Sequence, residues 1–184
     1  MRDNVNARLA FLDLAEEGSH SALWRLHDAF FDSLYRLIYS IVHKREIAEE
    51  LTSDVFIQLW QSRYRLNSVE NPDVYLFVVA KNRAFAYLRV QKTAIRAIDE
   101  LSDFDLAFER TPEDIMISSE MVSRINAAIQ QLPPKCKLIF MMVRENNLKY
   151  REVAEILGIS IKTVEAQMSI ALKKLGRNIP LFTI

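Results

Sequence analysis

Apolar residues recur along most of this chain at helical spacing. Leu9, Leu12 and Leu14 come first, and after the interruption "EEGSHS" the series Leu23, Leu26, Phe30, Leu34, Leu37 and Ile41 steps by three and four. Residues 9–42 therefore predict helix, with Gly18 and Ser19 as a stop followed by an N-cap. A second helix is expected from about Glu46 to Tyr64, stacking Ile47, Leu51, Val55 and Leu59. "RLNSVENPD" reads as a loop, and Pro72 suits the first turn of a third helix, Asp73 to about Gln91. The rhythm then fails across "TAIRAIDELSDFDLAFERTPED", where acids gather, and returns near Ile115. "LPPKCKLIF" stops and restarts it, since proline is tolerated in a first turn but not in mid-helix. The expected fold is all-α, with helical domains at 1–92 and 119–184 joined by an acidic linker over 93–118.

Near the end stands "YREVAEILGISIKTVEAQMSIALKKL". A short helix is expected to bury Val153, Ala154 and Leu157. Gly158 supplies the positive φ of a tight turn, Ser160 caps the next helix, and that helix buries Ile161, Val164, Met168, Ala171 and Leu175. Ala154, Gly158 and Val164 fall where a helix-turn-helix needs a small residue, a turn glycine and a buried aliphatic. The opposite face carries Lys162, Thr163, Glu165, Ala166, Ser169 and Lys173, with Lys174 and Arg177 following. Short polar and methyl-bearing side chains at a helix start approach base edges, and lysines engage phosphates. Alone, the same pattern also describes an ordinary helical hairpin with a solvated face.

Composition narrows the fold class. Among 184 residues, half of them hydrophobic, there are only 3 Gly and 5 Pro, too few for a turn-rich sandwich or barrel. The lone Cys136 forms no internal disulfide and fits a reducing compartment. The first residues carry acids where a secretion signal needs an apolar core, and "LIFMMV" is far too short to cross a bilayer. A soluble, cytoplasmic protein without stable membrane insertion is expected. Formal charge is zero, but it is segregated. Residues 1–60 hold 6 basic and 10 acidic side chains, and residues 61–97 hold 7 and 2. Residues 98–120 hold 1 and 8, and residues 121–184 hold 10 and 4. Two basic blocks, net +5 and +6, thus flank an acidic one of −7.

Two further faces carry chemistry. "REIAEELTSDVFIQLW" sets Glu46, Glu50 and Asp54 on one ridge, with Glu49 and Ser53 beside it; this is either a docking surface or a solvated face. "PDVYLFVVAKNRAFAYLRVQ" interleaves Lys81, Asn82, Arg83 and Arg89 with Tyr75, Phe77, Phe85 and Tyr87. Cations that follow phosphates and rings that stack on bases suit a single strand, although Phe77 and Phe85 are better read as core. His20, His27 and His43 are scattered without ligand partners, so no metal and no cofactor is expected. No nucleophile stands beside a base, so no catalytic residue is assigned and an enzyme is not expected. Cys136 is read as packing, with a redox role as the alternative.

In order and spacing, the chain resembles the extracytoplasmic-function (ECF) sigma factors, the two-domain promoter-specificity subunits of bacterial RNA polymerase, in a style similar to versions common in Bacteroidetes. The resemblance rests on "SALWRLHDAFFDSLYRLIYSIV", "AEELTSDVFIQLW" and "YLFVVAKNRAFAYLR", then "INAAIQQLPPKCKLIF" and the helix-turn-helix. It implies a sigma region 2 domain over 1–92 and a region 4 domain over 119–184. It implies core RNA polymerase, promoter DNA and an anti-sigma factor as partners. Glu46, Glu49, Glu50, Ser53 and Asp54 would bind polymerase. Arg65, Asn67, Ser68 and Asn71 would form a pocket for an extruded −10 base, and Lys81, Asn82, Arg83, Tyr87 and Arg89 would line the strand. Tyr150, Ser160, Lys162, Thr163, Glu165, Ala166, Ser169, Lys173 and Lys174 would read the −35 duplex. Ser53 stands where the family commonly has glutamine, and Ile170 where arginine is usual. The competing readings are a helix-turn-helix regulator with a helical sensing domain and a helical adaptor.

Overall fold

The computed structural model describes residues 4–96 and 127–178. They are helical apart from short connections, with no strand among them. The chain separates into two units, Met1–Ser102 and Asp103–Ile184. The acidic linker expected over 93–118 lies largely outside the described residues, as does the helical restart near Ile115.

In the N-terminal unit, α1 (Asn4–Glu17) ends where Gly18 takes a φ of +58°. Ser19 then caps α2 (His20–Val42), its Oγ accepting the Ala22 amide at 3.3 Å. Helix α2 is the spine, burying Leu26, Phe30, Leu34, Leu37, Ile38 and Ile41 against α1, α3 and α4. His43 closes it in the left-handed region, φ +54°. Helix α3 (Arg45–Gln61) departs from the expected register. Its buried row is Ala48, Thr52, Val55, Phe56 and Leu59, while Ile47 and Leu51 are only half-buried at the edge. Thr52 is admitted to the core because its hydroxyl donates to its own helix, at Ala48 O, 2.6 Å.

α3 also stops earlier than expected. A 3-10 segment, Arg63–Ser68, follows and packs on α1, anchored by buried Leu66. Helix α4 (Pro72–Arg96) begins at its proline and outruns the expected end at Gln91. Asn71 caps it, accepting the Val74 amide through Oδ1 at 3.3 Å.

In the C-terminal unit, helical residues 127–130 precede α5 (Pro134–Arg144), which starts on Pro134 after Pro133. Helix α6 (Tyr150–Leu157) is tied at its start by the Glu152 carboxylate, which accepts the Lys149 amide at 2.8 Å. It ends on Gly158, φ +65°: the Gly158 amide donates to Glu155 O and the Ile159 amide to Ala154 O. This paired closure releases the chain sharply into α7 (Ile161–Asn178). Ser160 accepts the Thr163 amide at 3.1 Å, as the N-cap expected. Two details differ from expectation. Ile156 is buried and Leu157 only half so, and Ile161 is 44% exposed. Leu157 is the last residue of α6 and Ile161 the first of α7.

Candidate nucleic-acid and partner interfaces

The C-terminal unit offers one coherent polar face. Val164, Met168, Ala171 and Leu175 of α7 are buried, and Met168 and Leu175 fall in a row that leaves the other side of the helix free. On that side Lys162, Glu165, Ala166, Ser169, Lys173 and Lys174 are exposed. Not every polar group is equally available. The Ser160 and Thr163 hydroxyls lie 2.9 Å apart, and the Ser169 hydroxyl donates to Glu165 O at 2.9 Å. Ser160 is therefore committed to the cap, whereas the lysines extend into solvent. Ile161 and Ile170, both more than 40% exposed, add apolar surface next to this polar side. Tyr150 is half-buried at the start of α6. Beneath, Cys136 is fully buried and its thiol donates to Gln167 O at 3.2 Å, so it ties α5 to α7. Burial raises its pKa, with Lys174 pulling weakly the other way.

The N-terminal unit carries the acidic ridge and the basic helix side by side. Glu46, Glu49, Glu50 and Ser53 are exposed along α3. Asp54 is not an independent member of that ridge. Its carboxylate accepts Arg83 Nη1 of α4 at 2.7 Å, and Arg83 Nε donates to Gln58 Oε1 at 3.1 Å. One expected partner-binding acid and one expected strand-binding cation thus form a bridge between α3 and α4. Elsewhere on α4, Asn82 and Arg89 are exposed, and Tyr87 is half-buried with its hydroxyl accepting Gln91 Nε2 at 2.9 Å. Lys81 is half-buried, and desolvation lowers its pKa. Phe77 is core, as expected, while Phe85 is only half-buried.

Before α4, Arg65, Asn67 and Ser68 are exposed, with the Ser68 hydroxyl donating to Arg65 O at 2.9 Å. Asn71 differs from them in spending its carbonyl oxygen on the α4 cap. Sequence reasoning missed the cluster just upstream. Arg63 lies over both Trp60 and Tyr64, and Trp60 stacks on His20. The available signal was two rings four residues apart with an arginine between them. Among the described residues no group of His, Cys, Asp and Glu could hold a metal ion, and no helix is long and apolar enough to cross a membrane.

Comparison with known proteins accounts for both units. Residues 26–94 match the family Sigma-70 region 2, and residues 123–175 match Sigma-70, region 4. The chain is 25% identical over 182 residues to the ECF RNA polymerase sigma factor BldN of Streptomyces coelicolor, covering 97% of this chain and 68% of BldN. Its fold is similar to that of CnrH, solved in complex with the cytosolic domain of CnrY. The TM-score is 0.66 at 16% identity, covering 94% of this chain and 96% of CnrH. It is also similar to the sigma factor RpoE from Bartonella quintana, solved with the anti-sigma factor NepR. There the TM-score is 0.61 at 18% identity, covering 80% of this chain and 90% of RpoE.

Proposed function

Because the chain belongs to the ECF subfamily of sigma-70 RNA polymerase sigma factors, we propose a specific division of labour for its residues. Glu46, Glu49, Glu50, Ser53 and Asp54 on α3 dock on core RNA polymerase. The 3-10 segment and α4 take the −10 element as a melted strand: Arg65, Asn67, Ser68 and Asn71 receive an extruded base, Lys81, Asn82, Tyr87 and Arg89 follow the backbone, and Arg83, held by Asp54 and Gln58, chiefly fixes α4 against α3. Extrusion costs a few kcal/mol, which a polar pocket and stacking must offset. The α6–α7 pair reads the −35 element as duplex, with Lys173 and Lys174 on phosphates and Lys162, Thr163, Glu165 and Ala166 nearest the base edges. Residues 93–118 tether the two domains. The polymerase performs the chemistry; this chain is not an enzyme and acts in the cytoplasm. An anti-sigma factor restrains it, as the solved complex of RpoE with NepR suggests by analogy.

The observation that carries this reading is the match of region 2 and region 4 in order along one chain, each on its own helical unit. The test is run-off transcription. Core polymerase supplemented with the protein should initiate on DNA from upstream of its target genes, and core alone should not. No transcript from any such template would refute the assignment. For the polymerase surface, Glu50→Lys is a better probe than a change at Asp54, whose loss would also remove the carboxylate that Arg83 binds. It should abolish retention of core enzyme while −35 duplex binding persists.

A further inference from the structure

We propose that Thr163, Ala166 and Ile170 of α7 form a row of methyl groups that reads thymines in the −35 duplex. Ile170 is 41% exposed, so the core of the unit does not explain an isoleucine there. In an α-helix, residues three and seven positions on from Thr163 share its side, which sets Ala166 and Ile170 in line with it. Ala166 is exposed and Thr163 half-buried. The Thr163 hydroxyl is already engaged, lying 2.9 Å from the Ser160 hydroxyl at the cap. What Thr163 has left to offer a partner is its methyl group. All three residues therefore supply hydrocarbon away from the buried row of Val164, Met168, Ala171 and Leu175.

The rest of the face selects the ligand by exclusion. Arginine, asparagine and glutamine grip guanine or adenine through paired hydrogen bonds, and none of them is exposed between Ile161 and Lys174. Gln167 is half-buried, and its backbone carbonyl accepts the Cys136 thiol. The Ser169 hydroxyl donates to Glu165 O at 2.9 Å, so it too is engaged within the helix. Glu165 offers an acceptor to a cytosine amino group, a contact separate from the row. Lys162, Lys173 and Lys174 are exposed around the row and suit phosphates, which hold the helix in the groove without choosing a sequence. Thymine alone among the four bases carries a methyl group in the major groove, and small apolar side chains are its partners there. From Thr163 to Ile170 the helix rises about 10 Å, roughly three base-pair steps. The expected target is thus a run of about three base pairs bearing thymines, on either strand, within the −35 element. This inference rests on the sigma-factor reading of the C-terminal unit and adds the chemical class of base that α7 selects.

The test takes the full chain and a −35 duplex from a template that run-off transcription has identified, with fluorescence anisotropy as the readout. Each thymine is replaced in turn by uracil, which removes the methyl group and leaves every hydrogen-bonding group in place. Wild type should lose affinity about fourfold at each of a few neighbouring thymines, the worth of one buried methyl group, and should be unaffected at the others. Ile170→Ala should bind more weakly and become indifferent to uracil at one of those positions, whereas Ile170→Val should keep the dependence. Hydrogen exchange in α6 and α7 should be the same in both variants as in wild type, since the side chain is exposed. Uracil without effect at every thymine, in a chain that binds the duplex, would overturn the methyl row alone. So would a uracil effect that Ile170→Ala leaves intact at every position, because the contact would then be made elsewhere. Failure of holoenzyme to initiate on any template would instead remove the sigma-factor reading, and the row with it.

Discussion

Two single residues show how local chemistry fixes the C-terminal unit. At Gly158 an added Cβ would meet nothing within 4 Å, so crowding plays no part in the choice of glycine. The requirement is the φ of +65°, which costs an L-residue about 1–2 kcal/mol. Gly158→Ala should therefore destabilise this unit by about that amount, and Gly158→Asn by less, because asparagine tolerates the left-handed region better than alanine. The readout must be hydrogen exchange in α6 and α7, since both tryptophans, Trp24 and Trp60, lie in the other unit. Cys136 gives a pH signature. Burial raises its pKa above the ordinary 9.0, so the unfolded chain ionises first as pH rises. The thiol's contribution is complete below the unfolded value and is lost as pH climbs through the folded one. Protection of α5 and α7 should accordingly fall more steeply above about pH 9 in the wild type than in Cys136→Ala.

At the scale of the helices, the bridge between α3 and α4 changes what each basic residue is expected to do. Arg83 is held by Asp54 and Gln58, whereas Arg89 is exposed on the same helix. Arg89→Ala should reduce the salt slope of single-strand binding by about 0.7, the value of one lost phosphate contact. Arg83→Ala should change that slope less and instead lower the unfolding midpoint of the N-terminal unit, followed by tryptophan fluorescence. Equal slopes and equal midpoints for the two variants would refute this distinction. The same bridge marks the limit of what the sequence reveals. Helix positions, the Ser19 and Ser160 caps and the Gly158 turn were legible, because each depends on residues within a few positions of one another. Asp54 with Arg83 was not, because a contact across 29 positions leaves no periodic trace. The facing of α3 was misjudged by about one residue for a related reason. Thr52 is buried through a hydroxyl bond to its own helix, so a polarity pattern assigns it to the wrong side. Ile161, apolar but exposed, misleads in the opposite sense.

For the whole molecule, a formal charge of zero conceals two cationic blocks that must approach a polyanion, separated in sequence by residues 98–120 at −7. That acidic stretch lies outside the described residues, but its charge acts on any DNA that comes within a Debye length, about 30 Å at 0.01 M salt and about 8 Å at 0.15 M. Replacing Asp99, Glu100, Asp103 and Asp105 by their amides removes four negative charges without altering chain length. If the acids only repel DNA at a distance, the variant should bind duplex more tightly at low salt and match the wild type near physiological ionic strength. If they also compete for the lysines and arginines that DNA would use, each cation released adds a phosphate contact and steepens log K against log salt by about 0.9. The second outcome is expected here, because the acids lie in sequence between the two cationic blocks. Fluorescence anisotropy of polymerase-free protein on a −35 duplex, titrated across salt, separates the two. Affinity identical to wild type at the lowest salt would show that the acidic stretch has no bearing on how this sigma factor meets its promoter.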